Sequence, residues 1–423
     1  MASESHFDHA QWLLNLTDRD SPSVSIAEIA DHVSSSVSAA FQAQLPSLQS
    51  RFQSLNWQRC HRVAPEILHA EFVDEKGKPG YYRLGFNKEG LLQSYLRLRS
   101  LPPDIVVRLA DQEDWDGVFA LESQCPIETG DGKRVFVDRG ERAVNHFRLP
   151  QRMVLAVAEH NHQIIASRAL PVRDCVLDGN NKRLVYSHFA RTLPEYQAIG
   201  LFAHLNIVAM EEVGPFDAMF AYMDPQNEAM RAAAQGGRGW DHKVLRISIN
   251  CRQQADGNVS NRPAAADIGS IAAVINGTHE QKFFFEPYSE SKLRGRLQRA
   301  PDSYGPDDLH CSGNAVIGVN WEGQIRRTEW QGKQTRTVHG QIMDFGFQGE
   351  TGLEELRQLI QAACAAGISR GMTHLIVFTS GTCVEATMMS GLAEQVQEYE
   401  FFYPEPPPYN IDQRGLYVDP VYF

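Results

Sequence analysis

Residues 194–201, Pro194-Glu195-Tyr196-Gln197-Ala198-Ile199-Gly200-Leu201, stand between two segments of opposite character. Before them, 183–191 reads as an extended strand. After them, 201–210 repeats apolar residues at helical spacing. A strand that passes through a Gly-containing turn into a helix start leaves several backbone N–H groups unpaired and aimed outward. The helix dipole adds partial positive charge at the same point. The combination is an anion site and points to a phosphate-bearing ligand.

The rest of the chain bounds what can surround this turn. At 423 residues, two or three domains are expected at about 150 residues each. The chain is 43% hydrophobic and 22% charged, enough to bury a large core. Its net charge of −12, with no block of Lys and Arg, argues against a sequence-independent grip on nucleic acid. The seven Cys are scattered and include no C-x-x-C pair, which suits free thiols in a reducing compartment. The first twenty residues lack a basic stretch followed by an apolar core, and no apolar run has transmembrane length. A cytoplasmic protein that does not enter a membrane is therefore expected.

Periodicity divides the chain into three units of mixed helix and strand, an α+β (mixed α/β) class. Residues 1–103 pair a helix (26–52) with strands 67–73, 81–86 and 91–98, and Pro102-Pro103 marks the boundary. Residues 104–252 run strand 105–109, helix 113–122, a polar loop to Pro150, hairpin 154–159 and 164–172, and strand 183–191. The turn, its helix, strand 218–223, helix 227–235 and strand 244–249 complete the unit. The polar stretch 253–266 reads as a linker. Residues 267–423 repeat this order: strand 282–286, helix 289–299, and hairpin 315–320 and 325–329 turning at Glu322-Gly323. Strand 338–345, helix 353–366, strand 375–378, helix 384–392 and strands 399–403 and 415–418 follow.

The middle unit resembles the GNAT (general-control-type N-acetyltransferase) superfamily over 105–249. The resemblance is carried by Pro194-x-Tyr196-Gln197-x-x-Gly200-Leu201, similar to the family's P-x-[YF]-[RQ]-x-x-G-[ILG] loop, and by Asn227 after the next strand. It implies two GNAT-like domains, each a twisted mixed sheet flanked by helices, behind a small N-terminal α+β domain. The 267–423 copy is degenerate: Gly349-Glu350-Thr351-Gly352 replaces the loop.

The resemblance further implies acetyl-CoA or another acyl-CoA as co-substrate. Its pyrophosphate would lie on Gln197, Ala198, Ile199, Gly200, Leu201 and Phe202. Its pantetheine arm would lie along Phe189, Ala190, Arg191 and Thr192, with Asn227 contacting the arm. The implied reaction is direct transfer of the acyl group to an amine of a small acceptor, without a metal.

Attack on a thioester needs a base, because an ammonium group has no lone pair. Tyr186 and His188, two apart on the entering strand, face one side of the sheet. His188 has the pKa for a base; Tyr222 and Cys175 are candidate acids. Glu122, Glu128 and Asp131 lie where a cationic acceptor would be recognised.

Two departures from the family pattern stand in the sequence. Phe202 replaces a small residue, and 232–235 reads Ala-Ala-Ala-Gln where many members carry a Tyr acid. Three readings stay open: an N-acyltransferase; a GNAT-like enzyme acting on another thioester, by acyl-carrier-protein transfer or decarboxylation; and a non-catalytic CoA-binding scaffold. Acyl-chain length, acceptor and oligomeric state are not legible.

Overall fold

The computed structural model describes residues 55–64, 67–74, 76–86, 92–128, 132–139, 143–177, 179–225, 239–255, 267–403 and 414–420. The expected helices 26–52 and 227–235 lie outside them. The chain divides into two compact units, one holding 1–106 with 196–204, the other 107–195 with 205–423.

In the first unit, β1 (Asn56–Ala64), β2 (Ile67–Val73), β3 (Pro79–Phe86) and β4 (Leu92–Arg99) form an antiparallel meander in sequence order. The last three strands follow the expected alternation. Ala70, Phe72, Tyr82, Leu84 and Leu98 are buried, while Tyr81 and Arg83 between them are only partly so. The β2–β3 turn closes on Asp74, whose carboxylate accepts from the Lys76 and Lys78 amides at 2.9 Å each. Strand β1 was not expected, because its few apolar residues do not alternate.

The second unit begins with β5 (Ile105–Leu109), α1 (Trp115–Gln124), β6 (Ile127–Glu128), β7 (Arg134–Asp138) and α2 (Ala143–Arg148). The hairpin β8 (Arg152–His160) and β9 (Gln163–Leu177) follows, then β10 (Asn180–Tyr186), β11 (His188–Thr192), α3 (Leu201–Val213), β12 (Ala218–Met223) and β13 (Gly239–Asn250). The remainder is α4 (Cys251–Gln254), α5 (Ile268–His279), α6 (Glu290–Leu297), β14 (Leu309–Ser312), β15 (Ala315–Trp330), β16 (Lys333–Phe347), α7 (Gly349–Ser369), β17 (His374–Ser380), α8 (Val384–Gly391) and β18 (Gln395–Phe402).

Among the described residues, β5 to β18 join in one mixed sheet of order β5-β8-β9-β10-β12-β18-β13-β17-β16-β15-β7-β6, with β11 on β9 and β14 on β15. Two of its pairings are parallel, and each is bridged by a helix. Leu184–Tyr186 lies beside Ala218–Phe220 across α3. His339–Gln341 lies beside His374–Ile376 across α7. Parallel neighbours require such a crossover. The chain thus repeats one β-α-β step. Between the repeats the strands interleave: β18, late in the chain, inserts between β12 and β13 (Tyr222 opposite Phe401, Val244 opposite Tyr399).

The alternation of β13 explains how this centre is buried. Ile247 and Ile249 pack with Leu356, Leu359, Ile360 and Ala363 of α7, an i, i+3, i+4, i+7 stripe. Val244 belongs to a second core with Phe220, Tyr222, Phe284 and Phe401.

Several elements depart from expectation. The strand expected at 183–191 is two strands, broken at Ser187. The hairpin turn expected at Glu322-Gly323 is instead an irregularity inside β15, between Asn320 and Gln324. The true turn is Gln331-Gly332, both with positive φ (48° and 74°), which matches the twist of a tight hairpin. The strands expected at 282–286 and 415–418 reduce to one isolated bridge, Phe283 with Leu416. Among the described residues no helix is long and apolar enough to cross a membrane.

Candidate functional site

The break at Ser187 creates the site. Strand β10 lies between β9 and β12 up to Tyr186, opposite Phe220. The Ser187 amide makes the last link, donating to the Phe220 carbonyl at 2.8 Å. Beyond it β11 stays with β9 alone, while β12 continues to Met223 beside β18. A register slip between His188 and Ala190 bends the strand away. The Leu193 amide donates to Ile165 at 2.9 Å, so Arg191, two residues back, also turns its backbone to β9. Ala190 and Thr192 therefore turn their N–H and C=O groups to the opposite edge, where β12 has departed. Two parallel strands part there, and on the freed edge the Ala190 carbonyl accepts from Arg191 Nη1 at 3.1 Å while the Thr192 amide faces the Cys125 sulfur.

Arg168, 2% exposed on β9, holds the break by donating to Ser187 Oγ at 2.7 Å. Burial lowers its pKa to about 10. Tyr186 and Tyr222 are buried in an aromatic cluster, their ring centroids 5.7 Å apart and Tyr222 5.3 Å from Phe401. Burial pushes the Tyr186 phenol well above its ordinary range, so it stays protonated and is a weaker acid than a free phenol. His188 sits on β11 opposite Ala169, and Phe189 at the slip. Cys175 is buried on β9, its thiol pushed up by desolvation.

Cys125, which caps the C-terminal end of α1, was not anticipated. The Thr192 amide is directed at its sulfur, and burial raises its thiol pKa against the pull of Arg191.

In the first unit, the turn after Tyr196 is shaped by two residues with left-handed backbone, Ala198 (φ 63°) and Gly200 (φ 99°). For Ala198 that conformation costs about 1–2 kcal/mol. The Arg99 guanidinium donates to its carbonyl and holds it. His204, in the first turn of α3, donates from Nε2 to the Arg99 carbonyl at 2.8 Å. Burial lowers the His204 pKa, which leaves Nδ1 as an acceptor for Tyr81 Oη at 3.4 Å. Gln197 and Ala198 are exposed, Ile199 and Gly200 partly so, Leu201 is buried, and Phe202 is exposed. The turn thus delivers a rigid, accessible helix start.

A cavity of about 540 Å³ is lined in the same unit by Phe72, Asp74, Lys76, Lys78, Arg97 and Arg99. Among the described lining residues Asp74 is the one carboxylate, 3.6 Å from Arg97, against four cations, in a chain of net charge −12.

On α1, Glu122 is not in a solvated loop. It is 1% exposed and takes Arg139 Nε and Nη2 at 2.9 and 3.3 Å. Glu128 is exposed on β6, opposite Arg134. Asp131, Asn227 and residues 232–235 lie outside the described residues.

The parting of parallel strands ahead of a strand–turn–helix is the geometry of this site, and solved structures share the overall fold. Saccharomyces cerevisiae N-myristoyltransferase with bound myristoyl-CoA superposes with a TM-score of 0.52 at 9% identity, over 72% of this chain and 83% of that one. This chain has the GNAT fold. A second structure of that yeast enzyme with myristoyl-CoA gives a GNAT-fold match of TM-score 0.50 at 9% identity, over 73% and 81% of the two chains. A GCN5-related N-acetyltransferase from Sphaerobacter thermophilus matches at 14% identity and TM-score 0.47, over 73% and 98%. No protein-family model and no curated protein matches the sequence. In this chain the parted strands are β11 and β12, and the helix that follows the turn is α3.

Proposed function

We propose that this chain is an acyl-CoA-dependent N-acyltransferase that passes an acyl group, with acetyl-CoA as the expected donor, directly to the amine of a small acceptor. The observation that carries this reading is the parting of β11 from β12 immediately before the P-x-Y-Q-x-x-G-L turn. The amides of Gln197 to Phe202 receive the pyrophosphate. The outward edge of Phe189 to Thr192 pairs with the pantetheine amides, and Asn227 contacts the same arm. His188 takes the proton from the attacking amine, and Tyr186 and Tyr222 are the nearby proton donors. Glu128 and Asp131 are the carboxylates facing a cationic acceptor, with Glu122 ordering the site through Arg139. On this reading His188→Ala lowers kcat about 100-fold or more, with little change in KM for acetyl-CoA. Turnover unchanged in steady-state assays would discredit the base.

The second β-α-β repeat is a non-catalytic copy that completes the acceptor side. Its helix α7 carries Glu350 in the first turn. That carboxylate already answers the helix dipole and would repel a pyrophosphate. We place the protein in a reducing, cytoplasmic setting, in keeping with its free cysteines.

The positive cavity of the first unit suits the phosphorylated nucleoside end of the donor. Reversing Lys76 and Lys78 together to Glu should weaken acetyl-CoA binding about tenfold, or about 1.4 kcal/mol. It should weaken dephospho-CoA, which lacks the 3′-phosphate, much less. Isothermal titration of both ligands checks this. Equal losses would remove the phosphate from the cavity, and no acetyl-CoA binding to the wild-type protein near millimolar ligand would remove the proposed function itself.

A further inference from the structure

Arg246 lies mid-strand in β13 between Leu245 and Ile247. It is 4% exposed, and its Nε has no hydrogen-bond partner. Among the described residues its one polar side-chain contact places Nη2 at 3.4 Å from His339 Nδ1. His339, on β16, bonds through Nε2 to Thr337 Oγ1 at 2.7 Å. Thr337 stands opposite Arg326 of β15. The Arg326 Nε is likewise buried and, among the described residues, unpartnered, and its Nη2 reaches Gln324 Oε1 at 3.3 Å. Arg246, His339 and Arg326 thus follow one another across the sheet.

Among the described residues no carboxylate forms an ion pair with Arg246 or Arg326. Among the described residues the carboxylate that bears on Arg326 is Glu122, and Arg139 already holds it. Burial lowers the pKa of both arginines. For Arg326 it falls to about 9, with the charge of Arg246 the next cause. Burial and the two guanidiniums together push His339 far down, so the imidazole between them is neutral and adds no compensation.

This protein settles a buried arginine differently elsewhere. Arg296 has two carboxylates, Asp344 and Asp419, each at 2.9 Å. A buried cation left without such a partner is costly unless something supplies the charge. Arg246 also stands close in the sheet to the proposed reaction centre: it lies opposite Gln397 of β18, the strand whose Phe401 lies opposite Tyr222.

We propose that Arg246 and Arg326 bind an anionic group, a carboxylate or a phosphate, on the acyl acceptor, so that the substrate is an amine carrying a negative charge away from its reactive nitrogen. The inference rests on the acyltransferase reading for the word acceptor, but the anion site itself can be tested without it.

The test is thermal unfolding of the full chain titrated with succinate and, separately, inorganic phosphate, against neutral acetamide. A saturable stabilisation by one of the two anions is expected, and which one responds names the group. Arg246→Met and Arg326→Met should each abolish that shift and raise the melting temperature of the unliganded protein, since an unpaired buried cation is gone. A purely structural arginine would do the reverse. Should a Met variant fail to fold, Arg246→Lys and Arg326→Lys keep the charge but lose the planar fork, and should weaken the anion at least fivefold.

No saturable shift with either anion overturns the inference. So does a shift unchanged in the variants, or unliganded variants that melt lower yet keep the response. Acetyl-CoA titrated into the same samples separates the two claims. Anion binding without acetyl-CoA binding sinks the acyltransferase reading alone, and the converse sinks only this site.

Discussion

Replacing Gly200 by Asp should abolish acetyl-CoA binding, lowering affinity more than 100-fold, with the circular dichroism spectrum unchanged. Two effects add at this position. Gly200 has φ of 99°, where an L side chain is strained whatever the space around it. A Cβ there would meet Arg99 Cβ at 3.6 Å, an ordinary contact, so the fold is not broken by a clash. The strain, about 1–2 kcal/mol, instead re-aims the turn. The new carboxylate then stands among the amides proposed to receive the pyrophosphate and competes for Arg99. Gly200→Ala isolates the first effect and should cost about tenfold, as expected for that strain. Titration calorimetry decides it. An Asp variant that binds within threefold of wild type would mean that the turn is not the donor site.

The second large effect concerns stability. Asp344→Ala should destabilise the protein by about 3–5 kcal/mol. Asp344 is fully buried and gathers Arg296 Nε at 2.9 Å, Tyr304 Oη at 2.6 Å and Tyr288 Oη at 3.0 Å. Truncation leaves one guanidinium and two phenols without their shared acceptor, in a place water does not reach. Asp419 still faces Arg296, which keeps the loss within that range. Urea unfolding followed by circular dichroism gives the value. A loss under about 1 kcal/mol would mean that the network relaxes, and would weaken the contrast with Arg246, whose substitution should stabilise.

Local patterns were legible in the sequence. The His160-Asn161-His162-Gln163 hairpin turn and the alternating strands of the first unit follow from nearest-neighbour chemistry, and the structure places both as expected. The P-x-Y-Q-x-x-G-L segment was legible as a turn between a strand and a helix, with Gly200 at the positive φ that only Gly takes easily. What was not legible depends on partners distant in the chain. Ser187 breaks a strand that reads as continuous, because β12 lets go of β11 there. The insertion of β18 between β12 and β13 joins residues about 150 or more apart in sequence and has no local signal.

At the candidate site, Glu122 read as a carboxylate open to a cationic acceptor because nothing nearby in sequence announces Arg139. Arg246 carried a faint signal, a lone cation inside the apolar run Val244-Leu245-Arg246-Ile247-Ser248-Ile249. An alternating strand with one charge normally turns that charge to solvent. Here both faces of β13 are covered, by α7 on one side and the aromatic core on the other, so the charge is buried.

The most direct test of the central claim is electron density for coenzyme A bound to the full chain. The account predicts the pyrophosphate on the backbone amides of Gln197 to Phe202, at the start of α3. Density for the pyrophosphate elsewhere, with that turn empty, would contradict it.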